Sequence, residues 1–388
     1  MLDSQTARRA LATLAALPLL VPFSLATPAT AVGERDKPAT TPATAPGEPT
    51  QPATVRWRGE RFAAGDWPTD LRPDLRGMVH SWSPWAARAG YRMDLEEHGR
   101  VLTLSSARYN RSVSRENSLV ADTLQVFDEW LPVAPPNPFP HSGSAPPQAP
   151  PREESVVLLR LQDRASYELL LDFLGANHPE LREVLAAARD DSHFTLDDPR
   201  CCAWIQREHN TPDNELVHRL TTGLVQSRFG GSPGWLTEAL AWNVELEVVH
   251  SIRSFPAGPR GVKQGRGWTS LLRRSLDPHE TWVPTLDEFR AWSPGSDDEQ
   301  AAALAFGLVS YCVSHRQTDL APVFLELGLY EASRGRIVQD DGSWRPVEGF
   351  SFPAAVEDQA LYRHCGEDLR YECARYLREG RRFRPRPR

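Results

Sequence analysis

A chain of 388 residues with 40% hydrophobic and 24% charged residues has the composition of an ordinary soluble protein, enough for one large domain or two modest ones. The net charge of -7, with both signs spread along the sequence, argues against nucleic acid as a partner, because that function needs a dominant basic face. The five cysteines include no C-x-x-C pair, which argues against a cysteine zinc site; their odd number leaves at least one unpaired, and Cys365 with Cys373 is the best candidate disulfide.

In chain order, Arg8-Arg9 precede an apolar stretch from Ala10 to Ala26 that ends near the small residues Ala29-Thr30-Ala31. This is the layout of a secretory signal peptide over residues 1–31, and it predicts a secreted, periplasmic or cell-envelope protein. Residues 32–54 are rich in Pro, Thr and Ala and read as a linker, since that composition cannot bury a core. Folding is predicted to begin near Val55 and to run to about residue 380, followed by a basic tail over 381–388.

Within the folded region, Tyr91–Leu95 and Val101–Leu104 alternate apolar and polar residues around Glu97-His98-Gly99-Arg100, as a half-buried hairpin does. Val120, Leu124, Phe127 and Leu131 recur at helical spacing. A proline-rich loop over 132–151 follows, then a strand at Val156–Leu159, a helix from about Ser166, and an extended segment from Phe194 to Ile205. Thr211-Pro212 has the form of a helix start, with Thr as N-cap and Pro at the first helical position. Leu216, Leu220 and Leu224 mark the buried side of that helix, Gly230 to Gly234 ends it, and a second helix runs from Trp235 through Glu247. Gly258 to Gly267 reads as a loop, and helices are predicted over Glu299–His315, Leu320–Ala332 and Val356–Leu377. Strands and helices first and helices later, with the change near residue 250, predict an α+β fold in which a small N-terminal sheet packs on helices.

The chemistry is concentrated in the two central helices. Asn214-Glu215-Leu216-Val217-His218 has the spacing of a zinc-peptidase motif, in which two histidines one turn apart grip the metal and the Glu after the first polarises its water. Here asparagine stands at the first histidine position. Twenty residues past His218, Trp235-Leu236-Thr237-Glu238-Ala239-Leu240-Ala241 resembles the segment that supplies the third ligand in gluzincins. Together these stretches resemble the peptidase MA-like, gluzincin-type zinc metallopeptidases, as a degenerate member.

The resemblance implies a zincin-like helix pair, with Glu215 as general base, His218 and Glu238 as metal ligands, and Asn214 at the missing ligand position. An amide oxygen suits zinc poorly, which points to an impaired pseudopeptidase with a binding or scaffolding role and no cofactor. The alternatives are an active zinc-dependent peptidase with a non-standard ligand set, to which His209 or His250 would contribute, and a structural envelope protein. Without a cation, the two carboxylates and His218 are expected to share protons in one cluster. Each residue also has a plainer explanation: Glu215 favours a helix N-terminus, His218 fills the core, and Glu238 pairs with an arginine. Trp204, Phe229, Trp235 and Trp242 flank the cleft and suggest an extended peptide or a glycan as partner, although aromatic packing between helices is the stronger explanation. Tyr311 is a candidate for stabilising an oxyanion. No G-x-S-x-G segment indicates a serine hydrolase.

Overall fold

Alternation along the strands sends odd- and even-numbered side chains to opposite faces, and in this chain both faces are covered. The computed structural model describes residues 53–379 except 64–65, 67–70, 107–112, 133–154, 198, 207–211, 256–265, 277–282, 294–295, 297, 316, 339–343 and 348. The predicted signal peptide, most of the expected linker, most of the proline-rich segment, the expected Thr211 cap, His209 and the basic tail therefore lie outside the described residues.

The strands are β1 (Thr54–Trp57), β2 (Glu60–Ala63), β3 (Tyr91–Leu95), β4 (Val101–Ser106), β5 (Val156–Leu161), β6 (His193–Asp197) and β7 (Arg200–Ile205). They form one mixed sheet in the order β2-β1-β3-β4-β5-β7-β6, in which β1/β3, β4/β5 and β5/β7 are parallel. The fold is α+β with a helical C-terminal part. The expected single extended segment at Phe194–Ile205 is a tight hairpin, with Asp197 paired to Arg200.

One face of the sheet carries Val55, Met93, Leu102, Leu104, Val157, Leu159 and Ala203 against α1 (Pro73–Ala89), α3 (Arg164–Asn177) and α4 (Arg182–Ala188). Helix α1 was not anticipated, yet its signals are plain. Pro73 opens it, Leu75, Val79, Trp82 and Ala86 fall on one face, and Gly90 ends it at φ 70°. The opposite face carries Val101, Val156, Leu158, Cys202 and Trp204 against α2 (Val113–Trp130) and α5 (Pro212–Phe229). Because both faces are covered, β4 is buried along its whole length, not half-buried. The polar members of the hairpin's pattern go into an ion network beneath α2. Asp94 binds Arg56 at 2.8 Å and Arg92 at 2.7 Å, Arg160 pairs with Glu116, and Arg160 Nε donates to Gln206 at 2.7 Å.

The helical part adds α6 (Gly234–Val249), α7 (Arg266–Ser275), α8 (Leu286–Phe289), α9 (Glu299–His315), α10 (Gln317–Arg334), α11 (Ala354–Cys365) and α12 (Leu369–Glu379), with a ribbon of β8 (Arg336–Val338) and β9 (Trp344–Pro346). Asp298 opens α9 by accepting from the backbone N–H groups of Gln300 and Ala301, both at 3.0 Å. All five cysteines are buried and none is bridged, so the Cys365–Cys373 disulfide does not form. No described helix is long and apolar enough to cross a membrane.

Candidate functional site

Helix α5 is buried around nearly its whole circumference, between the sheet and the C-terminal helices. It lies so close to the sheet that a Cβ at Gly223 would sit 2.8 Å from Cys202 Sγ and 2.9 Å from Val156 Cγ1. Its two ends are fastened to α2: Asp213 pairs with Arg115 at 2.5 Å, and Arg228 binds Asp128 at 2.5 Å and the Leu131 carbonyl. Gly230, at φ 92°, turns the chain back into α6. From the other side, α10 crosses where only glycine fits, because a Cβ at Gly328 would meet the Phe229 carbonyl oxygen.

This antiparallel pair brings together residues twenty or more positions apart. His218 Nε2 lies 2.8 Å from Glu238 Oε2. The other ring nitrogen, Nδ1, is 2.9 Å from Ser254 Oγ, whose hydroxyl in turn donates to Glu245 Oε2 at 2.5 Å. Glu245 Oε1 accepts from Asn214 Nδ2 at 2.5 Å and from the backbone N–H groups of Arg253 at 2.5 Å and Ser254 at 3.3 Å. Asn214 Nδ2 also reaches the Ser251 carbonyl at 2.7 Å. Glu215 Oε1 accepts from Arg219 Nε at 2.8 Å, one turn along α5. The result is a continuous chain from Glu238 through His218, Ser254 and Glu245 to Asn214, with the Glu215–Arg219 pair beside it.

The cluster is almost closed to water. His218 and Glu245 are fully buried, Glu215 nearly so, and Glu238 retains 19% of its side-chain exposure and so forms the rim. Burial alone would push the His218 imidazole down. The Glu238 charge and hydrogen bonds to Glu238 and Glu245 overcome it, so the pKa rises to about 9. Burial likewise favours a neutral Glu238, but His218 and then Arg219 outweigh it and hold the carboxyl at about 2. The pair is therefore an imidazolium–carboxylate ion pair at neutral pH. Both ring nitrogens face acceptors, consistent with a doubly protonated ring.

Three carboxylates, Glu215, Glu238 and Glu245, thus face two cations, Arg219 and His218. Among the described residues Glu245 has no Arg or Lys partner; its Oε2 lies 3.6 Å from His218 Nδ1, and it accepts from neutral donors, Asn214 among them. The donors do not fit a zinc ion. Ligand atoms around a tetrahedral zinc, with bonds of about 2.0–2.2 Å, stand about 3.3 Å apart. His218 Nε2 and Glu238 Oε2 are closer than that and bonded to each other, while Asn214 turns its amide nitrogen to Glu245. No group of three or more His, Cys, Asp or Glu among the described residues is arranged to hold a metal.

The helix pair thus unites His218 with Glu238 as read from the sequence, but it corrects two details. Glu215 does not join the expected cluster of two carboxylates and His218, because Arg219 takes it. The alternative ligand His250 is exposed at the C-terminal end of α6 in the left-handed conformation, φ 60°. Tyr311 gives its hydroxyl to Glu372 at 2.5 Å and stacks on His315, which leaves it no oxyanion role in this arrangement. Trp204, Phe229, Trp235 and Trp242 are all core residues, so packing explains them. Trp242 has its edge-on neighbours Trp268 and Trp292 at 5.1 and 4.9 Å.

Arg219, Glu245 and Ser254 were not singled out from the sequence. Arg219 carried a signal, since it is four residues after Glu215 on the same helix face. Glu245 follows Glu238 by seven residues, two turns along one face. No protein-family model matches the sequence, and no curated protein matches it.

Proposed function

We propose that the protein is an exported, metallopeptidase-like pseudoenzyme in which an ion-pair cluster occupies the catalytic positions of a gluzincin, and that its role is binding or scaffolding toward an extended peptide or a glycan. The reading is carried by the 2.8 Å contact between His218 and Glu238, the two residues at ligand positions. In a working site both would turn toward a metal. Here the imidazolium supplies the positive charge that Glu238 requires, and Arg219 neutralises Glu215, the residue at the general-base position. A carboxylate bound by a buried guanidinium is a poor proton acceptor, because the neighbouring cation stabilises its charged form.

Elemental analysis of the purified protein together with a casein hydrolysis assay tests the reading. The expected result is substoichiometric zinc and no chelator-sensitive hydrolysis. One zinc per chain, with hydrolysis that disappears in Glu215→Ala, would establish an active peptidase instead.

A further inference from the structure

Helix α12 and the residues after it carry the opposite charge to the rest of the chain. Residues 370–388 hold eight arginines against two acidic residues, Glu372 and Glu379, a net charge of +6, so the other 369 residues carry -13. Charge segregated in this way acts on partners at a distance and is not needed for the fold.

The described part of this segment keeps its apolar and basic sides apart. Leu369, Cys373, Ala374, Tyr376 and Leu377 are buried, and Glu372 accepts the Tyr311 hydroxyl at 2.5 Å, which turns one of the two acids toward α9. Tyr371 and Arg375, one turn apart, lie on the outer side: both are exposed, and Tyr371 retains 56% of its surface, the most of any large hydrophobic residue described. The Arg370 guanidinium stands 5.6 Å from the centre of the Tyr371 ring. The exposed acids Glu367 and Asp368 sit at the other, N-terminal end of the helix. In sequence the basic run continues from Arg378 to Arg388 with Phe383 inside it.

We propose that the outer face of α12 and the basic run after it dock on a membrane surface that carries anionic phospholipid. Guanidinium groups pair with phosphate through two parallel hydrogen bonds, and a polybasic segment is drawn to a charged bilayer from within a Debye length. Tyr371 and Phe383 add aromatic rings of the kind that settle at headgroup level, so the segment offers a membrane more than charge. Because the remaining residues are repelled by the same surface, the chain approaches it with this end first. The proposal does not depend on the pseudopeptidase reading, and the failure of either leaves the other standing.

Co-sedimentation of the purified protein with lipid vesicles tests it. The protein is expected to bind phosphatidylcholine vesicles containing about 30 mol% phosphatidylglycerol at about 0.1 M salt, to be released at about 0.5 M, and to ignore phosphatidylcholine alone. One arginine near the surface contributes about 5-fold in affinity, so Arg375→Gln should weaken binding about 5-fold, and R381Q, R382Q and R384Q combined should weaken it about 100-fold. Tyr371→Ser removes no charge and should weaken it as well. These substitutions leave the buried side of α12 untouched, so circular dichroism should not change, and every variant shares the parent's N-terminal segment, so differences report on this end of the chain. No binding to the anionic vesicles, or equal binding to phosphatidylcholine alone, would overturn the proposal. Binding that any of these variants leaves unchanged would do the same, as would tighter binding to double-stranded DNA than to the vesicles at the same salt.

Discussion

Two buried ion networks lie on the same side of the sheet, and they differ in the cation that holds them together. Beneath α2, Asp94 and Glu116 are matched by Arg56, Arg92 and Arg160, all of which keep their charge at any pH a folded protein meets. Between α5 and α6, Glu238 depends on His218, whose charge can be titrated away. The first network is a permanent part of the framework. The second is conditional, and it occupies the positions where the resemblance to gluzincins would put a metal.

The largest effect should come from removing a permanent cation within the conditional cluster. Arg219→Ala takes from buried Glu215 the guanidinium 2.8 Å away, and breaking a buried pair in this way typically costs about 3–5 kcal/mol. Denaturant unfolding would measure it. A loss below about 1 kcal/mol would mean that water reaches Glu215 and that the cluster is more open than its burial indicates.

A smaller effect, and one that separates the networks, is expected from pH. His218 is raised from 6.5 to about 9, so its stabilising contribution is complete below pH 6.5 and is lost as pH climbs to about 9. Glu238 is lowered from 4.5 to about 2, so its contribution is complete above pH 4.5 and is lost as pH falls toward 2. The cluster is therefore strongest between pH 4.5 and 6.5. Over the alkaline limb the loss should reach about 3 kcal/mol. His218→Gln should remove that slope, while Arg92→Gln, in the arginine network, should lower stability without changing it. Equal alkaline slopes in the parent and His218→Gln would show that the ion pair does not carry the pH dependence.

The contrast between the networks also marks what the sequence made legible. Strands β3, β4 and β5, the stripe on α2, and the ends of α5 and α6 were readable because burial imposes periods of two or about 3.6 on short stretches of chain. The approach of His218 to Glu238 was readable because a helix, a Gly/Pro turn and a returning helix bring residues twenty positions apart together. The partners of those residues were less visible, since a hydrogen bond carries no period. Ser254 enters the cluster only because His250 takes a left-handed conformation and turns the chain back over α6, which no local pattern announces. The network beneath α2 was hidden for a related reason. Arg92 and Asp94 look like the solvent face of a hairpin until α2 is laid over them.

The central claim is that His218 and Glu238 sit at degenerate metal-ligand positions and pair because the third ligand is missing. Asn214→His supplies it, and zinc titration followed by thermal unfolding measures the consequence directly. Zinc should raise the midpoint of Asn214→His well above that of the parent, since ligand binding to the folded state alone contributes about 2.7 kcal/mol at a hundredfold excess over the dissociation constant. The double variant Asn214→His with His218→Ala should lose the gain. If the single variant folds normally and binds no more zinc than the parent, the 2.8 Å His218–Glu238 contact is an ordinary core ion pair and the gluzincin reading is wrong.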